Sequence, residues 1–388
     1  MNILICTYYF NQTHNGAAQF ARQFYKLNQN QKIHKVAVLS PDIDLQQATD
    51  HQHFFSLNLT STRAIPGLEL LTIGKKFVTR AKIIKREFNF DVLFFNNVTL
   101  GKYAKKQFPN TKIVGFIHDD NYLSYSFQNF KFSKKWAYRM LQKRIEQSAI
   151  QQMDILLTNS KYMQGLIHQQ YQPSHLKVAQ VYVAINQKGF SKKRKVELTC
   201  GNKIKILFVK NEYQRGGLSD LITATEQLNL KRKISITVVG PFLSEKAAIQ
   251  KMFKFKKAKL NFVGNIPQTE LFNLMYEHHV LCIPSRQEAQ GLCVIEGMAN
   301  GIPVITTDAG GLKEMTTDGT YAWVAKAGDV SSLRNQFNSF LNLTEMERQQ
   351  KALSAQQFTT LNFSLKSMHQ TLINSLNDDF LSSQDNHM

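Results

Sequence analysis

The sequence predicts an α/β protein made of two doubly wound, parallel-sheet domains that face a central cleft. Three observations carry that expectation. A chain of 388 residues is about the length of two ordinary domains. Short apolar runs alternate with helix-length stretches along the chain, and most of the runs are continuously apolar, as strands covered on both faces must be. The alternation also starts afresh after one polar, basic stretch, SKKRKVELTCGNK at 191–203.

Taken in order, strands are expected at NILIC (2–6), KVAVLS (35–40), VLFFN (92–96), KIVGFIH (112–118), ILLTNS (155–160) and VAQVYVA (178–184). Helices are expected between them at 16–30, 74–88, 133–152 and 160–170. The second series reads KILFVK (205–210), SITVVG (235–240), NFVG (261–264), VLCIPS (280–285), PVITT (303–307) and YAWVA (321–325), with helices at 217–229, 244–255, 268–277, 291–300 and 330–342. Residues 344–377 read as helical, and the closing NDDFLSSQDNHM as a frayed tail. The domains are therefore expected at 1–188 and 189–360, with 361–388 a terminal helix that returns to the first domain. Ligands of such sheets bind beyond the carboxyl ends of the strands, so the loops that follow the strands are where chemistry is sought.

Composition is that of an ordinary globular protein, 43% hydrophobic and 20% charged, but the formal net charge is +20. Residues 1–190 hold 24 Lys/Arg against 10 Asp/Glu, so the excess is concentrated in the first half. Nucleic acid, an anionic membrane and a phosphorylated substrate would each suit it. The positive residues are scattered over β/α units and form no known nucleic-acid-binding module, so a nucleic-acid partner is not expected. Segment 131–144, KFSKKWAYRMLQKR, mixes six cations with Phe132, Trp136, Tyr138, Met140 and Leu141. That pattern suits peripheral contact with an anionic bilayer, and equally a solvated helix face. Lys75, Lys76, Arg80, Lys82, Lys85 and Arg86 form a second basic group. No run approaches the ~20 apolar residues of a membrane span, and MNILICTYYF lacks the basic leader of a secretion signal. Cys6, Cys200, Cys282 and Cys293 form no paired motif. A cytoplasmic protein at the inner face of the membrane is the expectation. No His, Cys and Asp cluster has metal-ligand spacing, so no metal or other cofactor is expected.

The densest chemical signal is CIPSRQEAQGLCVIEGMANGIPVITTDAGG at 282–311. A strand ends at Pro284, a polar loop carries Glu288, and Gly291 opens a helix with Glu296 in its second turn. A helix start offers unpaired N–H groups and a partial positive charge, so the amides at Gly291, Leu292 and Cys293 can hold a phosphate. Glu296 can accept from a vicinal diol such as a ribose, and Glu288 would stand at the sugar end. Gly310 and Gly311, after the next strand, permit close backbone approach. The set suits a nucleotide-sugar. Two glutamates at a helix start are also favourable on electrostatic grounds alone.

The string P-S-x-x-E-x-x-G-x-x-x-x-E-x-M-A-x-G-x-P-V-I-T-T-x-x-G-G resembles the donor-site signature of family-4 glycosyltransferases (glycosyl transferases group 1), retaining enzymes of the GT-B fold with two Rossmann-like domains. The likeness extends over most of the chain, through MNILICTYYFNQTHNGAAQ (1–19), FIHDD (116–120), DILLTNSKYM (154–163), VYVAIN (181–186, with Asn186 where Asp is usual) and NFVGNIPQTELFNLMYEHHVLCIPS (261–285). The resemblance implies that Glu288 contacts the donor sugar, Glu296 the ribose, and the backbone near Gly291 and Leu292 the sugar and phosphate. It implies that His118 projects toward the sugar and that Gly16 lies beside the diphosphate. The family also carries a basic pair after the first strand of the second domain. Here FVKNEYQRGGLSDLI (208–222) has Lys210 at the usual glycine and Gly216 where lysine is common, leaving Arg215 and then Lys210 as candidate diphosphate cations.

The expected activity is therefore metal-independent, retaining transfer of a hexose or N-acetylhexosamine from a nucleotide-sugar, with UDP as the expected carrier, to a lipid-linked or cell-surface glycan. Glu288, His118 and Arg215 are the candidate catalytic residues. Glu288 can serve as nucleophile, whereas the resemblance implies attack from the leaving-group face. The alternative is a non-catalytic GT-B partner or chaperone of an active transferase, which the Lys210 and Gly216 departures favour.

Overall fold

Ile3, Leu4, Ile5 and Cys6 have no exposed surface, and they form the middle of a parallel sheet. The structure is a computed structural model that describes residues 1–12, 15–31, 33–44, 46–47, 53–59, 68–121, 133–173, 176–185, 203–229, 233–240, 243–252 and 258–377. The stretch 191–202 expected as a linker lies outside the described residues, as do Asn186, Lys131, Phe132, Cys200, 253–255 of one expected helix and the tail from 378. The chain divides into two units, Met1–Ala184 with Leu365–Met388, and Ile185–Ser364.

The first unit contains β1 (Asn2–Cys6), α1 (Gly16–Gln31), β2 (Lys35–Ser40), β3 (Phe54–Ser56), α2 (Glu69–Glu87), β4 (Val92–Phe95), α3 (Ala104–Gln107), β5 (Lys112–Ile117), α4 (Lys134–Ile150), β6 (Ile155–Thr158), α5 (Lys161–Tyr171) and β7 (Lys177–Gln180). The second contains β8 (Lys203–Val209), α6 (Leu218–Glu226), β9 (Lys233–Val239), α7 (Lys246–Met252), β10 (Ala258–Gly264), α8 (Gln268–Glu277), β11 (Val280–Ile283), α9 (Leu292–Ala299), β12 (Val304–Thr307), α10 (Leu312–Met315), β13 (Trp323–Ala325), α11 (Val330–Asn342) and α12 (Glu345–Asn362). The last helix, α13 (Leu365–Leu376), packs on the first unit: His369 Nε2 meets Asn28 Oδ1 at 3.2 Å, and Lys112 Nζ donates to the Leu376 carbonyl at 2.8 Å.

Among the described residues every strand pairing is parallel. The orders are β3-β2-β1-β4-β5-β6-β7 and β10-β9-β8-β11-β12-β13. Both are doubly wound, so the chain reverses its direction of travel between β1 and β4 in one sheet and between β8 and β11 in the other. Continuous apolar runs are needed because each sheet is covered twice. Along β8, Ile204, Ile206 and Phe208 enter one core, while Leu207 and Val209 enter the other.

Several elements differ from expectation: β10 starts at Ala258, three residues early, and the stretch expected as one helical region at 344–377 is two helices. The edge strand β3 is three half-buried residues, too short for a periodic signal. β7 ends at Gln180, although the buried run continues through Val181, Val183 and Ala184. Helix α2 starts at Glu69, with Gly74 inside it rather than at its start. A Cβ at Gly74 would stand 2.9 Å from the Leu100 carbonyl oxygen, so the glycine gives room for the short 3-10 turn Val98–Gly101 to pack against α2.

Candidate active site

The reversal between β8 and β11 brings the loops after those strands side by side, and the residues there lock them together. Gly217 has φ +75°, and a Cβ on it would lie 2.0 Å from the Pro284 carbonyl oxygen, so only glycine fits both the turn and the contact. The Arg286 amide donates to the Arg215 carbonyl at 2.9 Å, and Arg215 Nε donates to the Gln287 carbonyl at 3.3 Å. The Arg286 guanidinium binds the buried Asp220 carboxylate through two bonds, 2.8 and 2.6 Å long. Such a fork-to-carboxylate pair fixes direction as well as distance.

Glu288 stands in the second of these loops. Its Oε2 accepts from Lys210 Nζ at 2.5 Å and from Ser285 Oγ at 3.2 Å, and its carbonyl accepts from the Gly311 amide at 3.1 Å. A Cβ on Gly311 would lie 2.2 Å from the Ala289 carbonyl oxygen. The glycine pair at 310–311 thus allows a third loop to press against the Glu288 loop.

Gly291, with φ +91°, caps α9, and its carbonyl accepts from the Val294 and Ile295 amides. The amides of the first turn of a helix have no intrahelical acceptor. Leu292 and Cys293 are half-buried, and Glu296 follows one turn later on the same side. Glu296 is buried, accepts from Gln268 Nε2 at 2.6 Å, and has its pKa raised to about 7, by desolvation against the opposing hydrogen bond from Gln268. Burial likewise pushes the Cys293 thiol up to about 12, with the Glu296 charge adding to the shift and Lys210 opposing it.

In the first unit, the residue that follows each central strand is polar. Thr7, Asn96, His118 and Asn159 follow β1, β4, β5 and β6 closely and form one hydrogen-bonded row. His118 Nε2 meets Asn96 Oδ1 at 2.8 Å. Asn96 Nδ2 donates to the Ala17 carbonyl at 2.8 Å and to Thr7 Oγ1 at 3.1 Å. The amide is oriented by those two donations, so Nε2 of His118 carries the proton and Nδ1 is the basic nitrogen. Asn159 Nδ2 donates to the His118 carbonyl at 2.7 Å, and the ring stacks on Phe116 with centroids 3.9 Å apart. Desolvation lowers the His118 pKa to about 3, so the imidazole is neutral at ordinary pH. Gly16 is the first residue of α1, whose Ala18 amide donates to Asn15 Oδ1 at 3.0 Å.

The sequence-predicted residues thus fall into two groups. Lys210, Arg215, Glu288, Gly291, Leu292 and Glu296 share one edge of the second unit, while Gly16 and His118 belong to the first. Sequence reasoning missed Asn96, Thr7, Asn159, Gln268, Ser285 and the Arg286–Asp220 pair. It also passed over Asp42 and Asp44, an acidic pair two residues apart. Asp42 accepts from the Phe10 and Asn11 amides and from Ser40 Oγ, which commits it to holding the loop after β1.

Two doubly wound parallel units define the GT-B glycosyltransferase fold. The family profile "Glycosyltransferase Family 4" matches residues 14–186, and "Glycosyl transferases group 1" matches 189–356. The chain belongs to this family, whose members transfer a sugar from a nucleotide-sugar. It is 24% identical over 274 residues to an uncharacterized 41.2 kDa protein in the cps region of Klebsiella pneumoniae, spanning 69% of this chain and 74% of that protein. It is 29% identical over 154 residues to glycogen synthase of Mycobacterium tuberculosis, an alignment that spans 39% of this chain and only 37% of that enzyme. Sucrose-phosphate synthase from Thermosynechococcus elongatus shares the fold at a TM-score of 0.79 and 17% identity, over 99% of this chain and 100% of that one. HepE of Anabaena, solved in complex with UDP-glucose, shares it at 0.69 and 16% identity, over 97% and 99%.

Proposed function

We propose that this chain is a retaining transferase that moves a hexose or N-acetylhexosamine from a UDP-sugar to a lipid-linked or cell-surface glycan. The observation that carries the reading is the α9 start: Glu288 and Glu296 flank it at the sheet reversal, with Arg215 and Lys210 in the adjoining loop. Glu296 would bind the ribose diol, the amides of Gly291 and Leu292 the phosphates, and Glu288 the sugar. As the glycosidic bond breaks, charge grows on the diphosphate, and Arg215 with the helix start would stabilise it electrostatically. His118, neutral with Nδ1 as its acceptor, would receive a hydrogen bond from a sugar hydroxyl, and Gly16 would stand beside the diphosphate. Retention proceeds either through Glu288 as nucleophile or by attack from the leaving-group face, with a donor phosphate oxygen taking the acceptor proton. The UDP-glucose bound by HepE and the cps location of the Klebsiella relative support the choice of donor and of a surface glycan.

Peripheral docking on an anionic membrane belongs to the same reading. Among the described residues no helix is long and apolar enough to cross a bilayer. Helix α4 exposes Lys134, Tyr138, Leu141 and Arg144, while Gln142, Ile145 and Ala149 toward its end are buried, and α2 exposes Lys75, Lys82, Ile83 and Arg86. Each cation near such a surface contributes on the order of 1 kcal/mol. Equal co-sedimentation with neutral and anionic vesicles would refute the docking.

The test of the activity is slow hydrolysis or transfer with a panel of UDP-, GDP- and ADP-sugars. Turnover of one donor with retention at the anomeric carbon supports the proposal. Binding of a donor without any turnover supports the second reading, a non-catalytic partner subunit, which the Lys210–Glu288 contact favours because it engages the sugar-side carboxylate.

A further inference from the structure

Lys210 runs through a space that another residue has left open. A Cβ on Gly216 would lie 2.9 Å from Lys210 Cβ, 2.7 Å from Lys210 Cγ and 2.9 Å from Phe208 Cζ. The Gly216 backbone does not adopt the left-handed conformation, so its glycine supplies room rather than backbone freedom. Its position is fixed by its amide, which donates to the Glu212 carbonyl at 2.8 Å. The start of the lysine is fixed as well. Its amide extends the β8–β9 ladder by donating to the Val239 carbonyl at 3.0 Å, and the adjoining Gly240, with φ +113°, lies so close to the Lys210 carbonyl that a Cβ there would stand 2.7 Å from its oxygen. From that anchored Cα the lysine stem passes over Gly216, and the ammonium ends 2.5 Å from Glu288 Oε2.

Both ends of the contact are mostly withdrawn from solvent, with side-chain exposures of 21% for Lys210 and 15% for Glu288. An ion pair in that setting is costly to break by removing one partner. An ammonium carries three donors, however, and one carboxylate oxygen takes only one of them. The charges of Lys210 and Glu288 both reach Cys293 in the first turn of α9, so this ammonium lies within electrostatic range of the helix start.

We propose that Lys210 bridges Glu288 and the diphosphate of the nucleotide donor, and that Gly216 is the seat that makes the bridge possible. Gly216, Lys210 and Glu288 form one coupled unit. Lys210 binds the diphosphate directly and positions Glu288 through the ion pair, while Gly216 acts only through Lys210. Without donor, Glu288 balances the cation. With donor, the same cation holds the carboxylate and the phosphate oxygens in a fixed relation, so the sugar-side acid is aimed by the group that grips the leaving diphosphate. The proposal rests on the reading of this edge as a nucleotide-sugar site.

The test uses the full chain and measures calorimetric binding of UDP, GDP and ADP, then of the matching nucleoside without phosphates. Three variants separate the parts. K210M keeps the stem and removes the charge, G216A keeps the charge and fills the seat, and K210G/G216K launches a lysine from the other side of the same gap. K210M and G216A are each expected to weaken the nucleoside diphosphate by about tenfold or more, the worth of one charge-assisted hydrogen bond, with the nucleoside changed by no more than about twofold. The double variant is expected to recover most of that loss. If G216A lowers Tm sharply, K210M and the double variant carry the test. Diphosphate binding by K210M equal to wild type overturns the bridge, as does a double variant no better than K210M. If wild type binds none of the three diphosphates, the donor-site reading falls and takes the bridge with it.

Discussion

The two units share one strand topology and arm its carboxyl edge differently. In the second unit the edge is ionic. Lys210 pairs with Glu288, Arg286 with Asp220, and Glu296 is buried one turn into α9. In the first unit the central strands β1, β4, β5 and β6 end on a neutral row of Thr7, Asn96, His118 and Asn159, with the imidazole kept uncharged by burial. The formal positive charge of the first half instead rides on outward helix faces, at Lys75, Lys82, Arg86, Lys134 and Arg144. Topology therefore supplies the place, and the loop residues supply the chemistry. A charged diphosphate needs fixed countercharges, whereas a sugar hydroxyl needs oriented neutral partners.

The largest effects are expected at the ionic edge. Glu288→Ala and Arg215→Ala should each lower transfer by about 10²–10³-fold or more, the scale for removing one preorganised electrostatic contact. Thermal unfolding should move little in Arg215→Ala, whereas Glu288→Ala should also lower Tm because it strips Lys210 of its ion-pair partner. Wild-type turnover in either purified variant would mean that the chemistry lies elsewhere.

At the neutral edge, His118→Ala should cost about 10²-fold in turnover if the ring orients substrate. Asn96→Asp sharpens the comparison by making this edge ionic. A carboxylate facing Nε2 favours the imidazolium, so the His118 pKa should rise from about 3 toward its ordinary value. In wild type the folded ring resists protonation and the unfolded ring does not. Between pH 6.5 and 3 the unfolded state therefore binds the extra proton, and stability falls as pH falls. Asn96→Asp should reduce that acid loss and add an acid limb to the rate profile, both readable by urea titration and kinetics across pH. An unchanged histidine NMR titration would show that Asn96 does not control the ring.

Glu296 gives a smaller effect of opposite sign. Its pKa is raised from 4.5 to about 7, so between those values the folded state holds a proton that the unfolded state has lost. Stability of the free protein should fall as pH rises through that window. Donor affinity should rise over the same window, because only the carboxylate accepts from both ribose hydroxyls. Glu296→Gln should flatten both curves, and a donor affinity that stays pH-dependent in that variant would reassign the titration.

What was legible follows from locality. The continuous apolar runs announced strands covered on both faces, and the candidate donor edge lay in one unbroken string, 284–311, whose spacing is set within a single loop and helix. The neutral row was not legible, because Thr7, Asn96, His118 and Asn159 come from four strands and meet only through the order β1-β4-β5-β6. Gln268 and Asp220 reach Glu296 and Arg286 in the same non-local way. The edge strand β3 offered three half-exposed residues and no period. The Gly216 departure was visible, but its meaning depended on where the Lys210 stem runs.

The smallest effects come from two glycines, one in each unit, which should change stability with opposite sign. Gly311→Ala would set a methyl 2.2 Å from the Ala289 carbonyl oxygen, a backbone atom that no rotamer change can move. Because the Gly311 amide also donates to the Glu288 carbonyl, relief of the clash must shift the loop that carries Glu288. A loss of about 1–3 kcal/mol in stability is expected, with turnover falling alongside. Gly165 lies exposed within α5, has an ordinary helical backbone, and would meet nothing within 4 Å. Gly165→Ala should therefore stabilise by about 0.5–1 kcal/mol, through the lower entropy of the unfolded chain and the better helix propensity of alanine. Turnover should not change. Matched urea melts and initial rates decide it: equal effects at the two positions would show that close backbone packing is not what distinguishes the ionic edge.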